Sequence, residues 1–178
     1  MRASLRARLA PLPEAGANEN FMNLDQFLLP DAVLTHIRAG TKKQLLSEMA
    51  AAVGPSVGLE PLPICQALSE RERLGSTGIG EGVALPHAKV EGLERLTVAF
   101  ARLQEPVDFD SADDEPVDLI AALLMPEDES QQSEHLKVLS KISRRLKDPD
   151  LRNKIRGAQT QNAIFALLTG EPDQHAAA

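Results

Sequence analysis

The chain has 178 residues, 43% of them hydrophobic, and a formal net charge of −7, so it can fill the core of one domain and has no excess of cations with which to wrap a nucleic-acid backbone. It has no Trp, no Tyr and only five Phe, which removes the platforms on which bases stack. A single Cys65 excludes an internal disulfide framework, and the longest apolar run, Leu119 to Met125, is far below the roughly 20 residues of a membrane-spanning helix; no membrane insertion and a cytoplasmic location are expected.

Residues 1–20 carry three Arg and two Pro without a continuous hydrophobic stretch, and are read as a disordered N-terminal extension. An organelle transit peptide or an upstream start codon before Met22 would give such a segment. Residues 21–170 form the domain, and residues 171–178, with Pro172 and no periodic pattern, form a flexible tail.

Within the domain, Thr41-Lys-Lys-Gln44 fits a capping box, and Leu45, Met49 and Val53 then share one helical face. A second helix is predicted over Leu62 to Arg73, with Pro61 and Pro63 in its entry turn, Gly75 past its end, and Ile64, Cys65 and Leu68 toward the core. Leu96 to Leu103 and Val117 to Met125 read as strands, the second apolar on both faces, and Val83 to Leu85 is a short third. His135, Leu139, Ile142 and Leu146 define a helical stripe that turns His135 inward. Asp148-Pro149-Asp150 opens a short helix, and Thr160 to Leu168 reads as the last, with Ala163, Ile164, Leu167 and Leu168 turned to the core. The sum is an α/β sandwich, helices around a small sheet.

Charge is polarised: Leu103 to Leu136 holds eleven acids and no Lys or Arg, whereas Lys137 to Arg156 holds eight basic residues and two acids. Two solvated surfaces that complement each other are expected, with a partner-docking surface as the alternative.

The chemistry concentrates in Gly75 to Lys89, GSTGIGEGVALPHAK, where four glycines let a backbone approach an anion. Nucleotide fingerprints fail, because a Walker loop needs Gly-Lys-Ser/Thr where Gly80-Glu81-Gly82 stands, and G-x-G-x-x-G from Gly78 meets Val83. Pro86 fixes its own φ and extends Leu85, so His87 leaves a strand end in a defined direction, with a ring nitrogen able to attack phosphorus near neutral pH. Alone, a His beside Pro is more often a hydrogen-bonded structural residue. A phosphohistidine would need a positive neighbour and a donor, and Arg71, Arg73 and His135 are the candidates. Arg71, three residues after Leu68, could reach a pocket rim, but spacing alone favours a solvated helix-end cation. No H-E-x-x-H, Cys-x-x-Cys or G-x-S-x-G occurs, and His36 and His175 lie in peripheral segments, so no metal site and no hydrolytic triad is expected.

Three ordered motifs, Arg71-Glu-Arg-Leu-Gly-Ser-Thr-Gly-Ile-Gly, Gly82-Val-Ala-Leu-Pro-His87-Ala-Lys and Ser133-Glu-His135-Leu, resemble the type-2 IIA domains of the bacterial phosphotransferase system (mannitol/fructose-like), most closely the nitrogen-regulatory subgroup, over Asn23 to Leu168. The resemblance implies a mixed five-stranded β-sheet flanked by α-helices on both faces. It implies that His87 accepts a phosphoryl group from an HPr-like phosphocarrier, itself charged from phosphoenolpyruvate by an enzyme I-type protein, with no cofactor of its own. By the same resemblance His135 stabilises the phosphoryl group, Arg71 orients it, and Ser76, Thr77, Gly78, Gly80 and Gly82 form its loop. The regulated partners it implies are kinases and proteins of potassium transport or the stringent response. Two alternatives remain: a fructose/mannitol-type uptake component passing phosphate to a IIB domain, and a non-catalytic binding module using the polarised surfaces.

Overall fold

The computed structural model describes residues 23–170; the expectations for residues 1–20 and 171–178 lie outside the described residues. Six strands, β1 (Leu28–Ile37), β2 (Gly78–Gly80), β3 (Val83–Ala84), β4 (His87–Lys89), β5 (Thr97–Val107) and β6 (Val117–Met125), make one mixed sheet. Its order is β1-β5-β6-β3-β2, with β4 also on β6; β5 runs antiparallel to β6, and β1, β3 and β4 pair in parallel with their neighbours. The strand count differs from five for a local reason. Val83↔Leu119, Ala84↔Ile120, His87↔Leu123 and Ala88↔Leu124 keep one constant register, so β3 and β4 are a single strand position broken at Leu85-Pro86. Pro86 has no N–H to give the ladder, although its carbonyl still accepts from the Leu123 N–H at 2.9 Å.

Five helices cover both faces: α1 (Lys42–Val57), α2 (Pro61–Arg73), α3 (Gln132–Leu146), α4 (Pro149–Gly157) and α5 (Gln161–Thr169). Strand β6 separates two cores, as an apolar run on both faces must. Ile120, Ala122 and Leu124 pack with Leu45, Met49, Val53, Ile64 and Leu68 of α1 and α2. Leu119, Ala121 and Leu123 pack with Val138, Ile142, Leu146, Ile155 and Ile164 of α3, α4 and α5. Phe100 and Ile120, one in each core, are completely enclosed, and each such side chain contributes about 1.5–3 kcal/mol by leaving water. Ala84, Ala88, Ala99, Ala101 and Ala122 all face α1 and α2, where small side chains let the helices sit close to the sheet.

Local signals account for the helix starts. Thr41 Oγ1 accepts from the Gln44 N–H at 3.2 Å, and the Gln44 side chain returns to the Gly40 N–H at 2.9 Å, one residue earlier than a standard capping box. Asp148 and Thr160 cap α4 and α5, and Pro61 opens α2 at its first turn. Two side chains deviate from the predicted stripes. Val138 rather than Leu139 is fully buried beside Ile142 and Leu146, and Cys65 lies at the margin of its core, half-buried. The polarised stretches meet through Arg156, whose Nε and Nη2 donate to the two Asp118 oxygens at 2.8 Å each.

Candidate functional site

Strand alternation aims His87. Val83 and Leu85 face the α3–α5 core, Ala84 and Ala88 face the α1–α2 core, so His87 and Lys89 continue the first face toward the edge where α3 begins. His87 opens β4 rather than leaving a strand, and it is half-buried. Its Nδ1 lies 2.9 Å from the Leu85 carbonyl oxygen. A carbonyl can only accept, so Nδ1 carries the ring proton and the in-plane lone pair resides on Nε2. The Leu85 carbonyl is available for this because residue 85 faces the β2 side, where its N–H meets Thr77, while the Gly82 and Pro86 carbonyls accept from β6.

His135 lies in the first turn of α3, on the buried stripe with Val138 and Ile142, and only 4% of it is exposed. Its Nε2 is buried without a hydrogen-bond partner. Burial holds its pKa below the ordinary 6.5, with the charge of Lys89 adding to the effect and those of Glu134 and Asp128 opposing it. The imidazole is therefore neutral at pH 7 and can present an uncharged N–H. That Lys89 acts on His135 is informative, because Lys89 stands two residues after His87 on the same strand face. The lysine itself reaches Glu129 Oε1 at 3.4 Å. That bond places β4, which His87 opens, beside the turn that leads into α3, the helix that carries His135.

On the other side of His87 runs the segment that leaves α2. Arg71 is half-buried and its Nη1 donates to the Gly75 carbonyl at 3.1 Å, whereas Arg73 is exposed. The Leu85 N–H donates to the Thr77 carbonyl at 2.9 Å, and Gly78 pairs with Ala84, which ties the segment leaving α2 to the chain two residues before His87. The expected glycine loop is divided by the fold. Gly80 and Gly82 stand at the β2–β3 turn, where Gly82 is five residues, or about 16 Å of extended chain, before His87. Gly82 has a φ of 76° and no room for a side chain, since a Cβ there would meet Arg156 Nη2 at 2.7 Å and Asp118 Oδ1 at 2.9 Å. Its requirement for glycine belongs to the turn. Ser76 Oγ donates to the Phe109 carbonyl and accepts from the Gly78 N–H. Thr77 is buried and gives both donors to one side chain, its N–H to Glu72 Oε1 at 3.0 Å and its Oγ1–H to Glu72 Oε2 at 2.6 Å.

Glu72 was not among the candidates drawn from the sequence. It is a buried carboxylate at the end of α2, which Lys42 Nζ also approaches at 3.2 Å. A signal was there to be read: Ile64, Leu68 and Glu72 recur at intervals of four, so the acid continues the apolar stripe. Its neighbours Arg71 and Arg73 disguise it as part of a solvated helix end.

Among the described residues no group of three or more His, Cys, Asp and Glu side chains is placed to hold a metal ion, and no helix is long and apolar enough to cross a membrane. Four features make up the candidate site: the His87 Nε2, the unpartnered His135 Nε2, the Arg71 guanidinium and the Gly75–Gly78 segment.

Comparison with known proteins identifies the family of the chain. The family described as "Phosphoenolpyruvate-dependent sugar phosphotransferase system, EIIA 2" matches residues 26–170. A nitrogen regulatory protein of Bradyrhizobium diazoefficiens is 39% identical over 151 residues, covering 85% of this chain and 97% of its own. A fructose-specific EIIA component of the phosphotransferase system from Haloferax volcanii is 41% identical over 102 residues, 57% of this chain and 65% of its own. The crystal structure of nitrogen regulatory protein IIA-Ntr from Neisseria meningitidis superposes with a TM-score of 0.77 at 35% identity, covering 82% of this chain and 99% of that one. With a family match across nearly all the described residues and relatives matched along almost their whole length, this chain belongs to the EIIA 2 family of the phosphoenolpyruvate-dependent phosphotransferase system.

Proposed function

We propose that this protein is a regulatory phosphocarrier in which His87 Nε2 accepts a phosphoryl group from an HPr-like phosphohistidine protein and the phosphorylated and free forms bind partners differently. The observation that carries the reading is the 2.9 Å contact of His87 Nδ1 with the Leu85 carbonyl, which leaves Nε2 as the nucleophile. In the step, the Nε2 lone pair forms a bond to phosphorus as the P–N bond of the donor breaks, and that bonding pair returns to the donor imidazole. His87 keeps its Nδ1 proton on the Leu85 carbonyl, so the ring becomes cationic in the adduct with an acceptor already in place.

Two further groups fit the developing charge. His135 has a buried Nε2 without a partner, and a phosphoryl oxygen would supply the missing acceptor. Arg71 holds the Gly75 carbonyl with Nη1, which leaves other guanidinium donors of its fork for oxygen. Ser76 and Gly78 wall the site, while Thr77 supports it from within and Gly80 and Gly82 shape the distant turn. Up to about two added negative charges would change docking at this edge. Relatives named nitrogen regulatory proteins support regulation as the outcome; the class of partner, kinases and proteins of potassium transport or the stringent response, is what the motif resemblance implies.

Incubation with phosphoenolpyruvate, an enzyme I-type protein and an HPr-like carrier is expected to add one acid-labile phosphoryl group to the intact chain, read by mass spectrometry. A His87→Ala protein is expected to take none; undiminished uptake by that variant refutes the assignment. The fructose-specific relative favours one second reading, an uptake component handing phosphate to a IIB domain. Onward transfer from the phosphorylated chain to a IIB protein and a sugar would establish it, whereas partner capture indifferent to His87→Ala would favour a binding module.

A further inference from the structure

We infer that Glu72 is a positioning residue for His87, acting through Thr77 and Leu85 to hold the His87 ring in the tautomer that exposes Nε2. This deepens the phosphocarrier reading and rests on it for its consequence, though not for its geometry. The connection is a continuous series of bonds. Glu72 Oε1 and Oε2 take the N–H and hydroxyl of Thr77 at 3.0 and 2.6 Å; the Thr77 carbonyl takes the Leu85 N–H at 2.9 Å; the Leu85 carbonyl takes His87 Nδ1 at 2.9 Å.

Each link has a reason to be there. Thr77 immediately precedes a three-residue strand at the edge of the sheet, and only its β2–β3 pairing and Glu72 hold it. Leu85 lies in the gap between β3 and β4, where no ladder bond to β6 fixes its carbonyl. Its direction depends on the N–H bond to Thr77 before it and on the fixed φ of Pro86 after it. Glu72 therefore braces, through Thr77, the residue whose carbonyl takes His87 Nδ1. Its carboxylate is buried because α2 carries it on the Ile64–Leu68 stripe, and Lys42 supplies the countercharge at 3.2 Å while also bonding Asp110 at 2.9 Å. A buried carboxylate at a helix end is a costly way to hold a loop, and here it holds Thr77, whose carbonyl takes the N–H of Leu85, two residues before His87.

The test uses the full chain with Glu72→Gln, Thr77→Val and Thr77→Ser. The His87 ring nitrogens are observed by nitrogen NMR, and phosphoryl acceptance from a phosphorylated HPr-like carrier is followed in a single turnover. In the parent chain one tautomer, protonated on Nδ1, is expected. Glu72→Gln and Thr77→Val should give a mixture of tautomers and slow acceptance by about tenfold, the scale set by small misplacements of reacting groups. Thr77→Ser, which keeps the hydroxyl, should restore both. Folded variants with the parent's tautomer and rate overturn the inference, as does equal behaviour of Thr77→Val and Thr77→Ser. If Glu72→Gln does not fold, the threonine pair decides alone. A parent chain that accepts no phosphate would instead sink the phosphocarrier reading, while the tautomer measurement would still judge Glu72.

Discussion

The two ends of the broken β3–β4 strand use charge in opposite ways. At the β2–β3 turn polar groups are paired: the Glu81 N–H donates to Asp113 Oδ2 at 2.9 Å, Arg156 clasps Asp118 with two bonds and adds the Glu81 carbonyl at 3.1 Å, and Arg152 reaches Glu81 at 3.4 Å. At the His87 end a half-buried imidazole presents a lone pair, a buried His135 nitrogen has no partner, and Leu74 and Leu136 are exposed. The first end is closed by its own pairs; the second keeps a buried ring nitrogen without one. A buried polar group without a partner costs stability and calls for an explanation, and Ser111 Oγ beside Gly78 is another such atom.

The sharpest way to break this contrast is at His135. Replacing His135 with Leu removes the orphaned donor, and phosphoryl acceptance by His87 is expected to fall about a hundredfold, the usual cost of losing one donor to a developing charge. The same change should leave the denaturation midpoint equal or raised, because it deletes a buried polar atom with no partner. A variant that is destabilised yet transfers normally would assign His135 to the fold.

At the paired end the expectation reverses. Arg156→Ala should leave phosphoryl acceptance unchanged and lower stability by about 1 kcal/mol, a modest figure because the pair is partly exposed and screened by solvent. Urea titration with the transfer assay alongside would detect either departure.

The smallest effect is a slope. His135 has its pKa held below 6.5 in the folded chain by burial, so below that pH the unfolded chain binds the extra proton first. Its contribution to stability is complete above pH 6.5 and is lost as pH falls through 6.5 toward the folded value. His135→Leu should flatten that part of the stability profile, measured by urea midpoints at stepped pH; an unchanged slope would mean that His135 titrates as an ordinary exposed histidine.

How much of this was legible beforehand differs by element. Caps at Thr41, Asp148 and Thr160, the entry prolines of α2 and the apolar run of β6 are local signals, and each appears at the expected place. Strand β1 escaped because Pro30 and Asp31 interrupt its apolar pattern; an edge strand tolerates both. Strands β2 and β4 escaped because three residues carry no measurable period. In the site, His87, Arg71 and His135 stood out through their motifs. The division of the glycines between a turn and a site wall did not, because spacing along a chain says nothing of which end of a strand a residue occupies.

By itself, the sequence determined the helices, the two-faced central strand, the family and the imidazoles on which the proposed chemistry depends, since these follow from local periodicity, capping and motif order. Only the tertiary structure decided which nitrogen of His87 is occupied, that Glu72 is buried against Thr77, and that Gly82 serves Arg156 and Asp118 instead of the site. Those are matters of contact between residues distant along the chain or separated by a strand break, and hydrogen-bond direction is fixed by where partners meet in space.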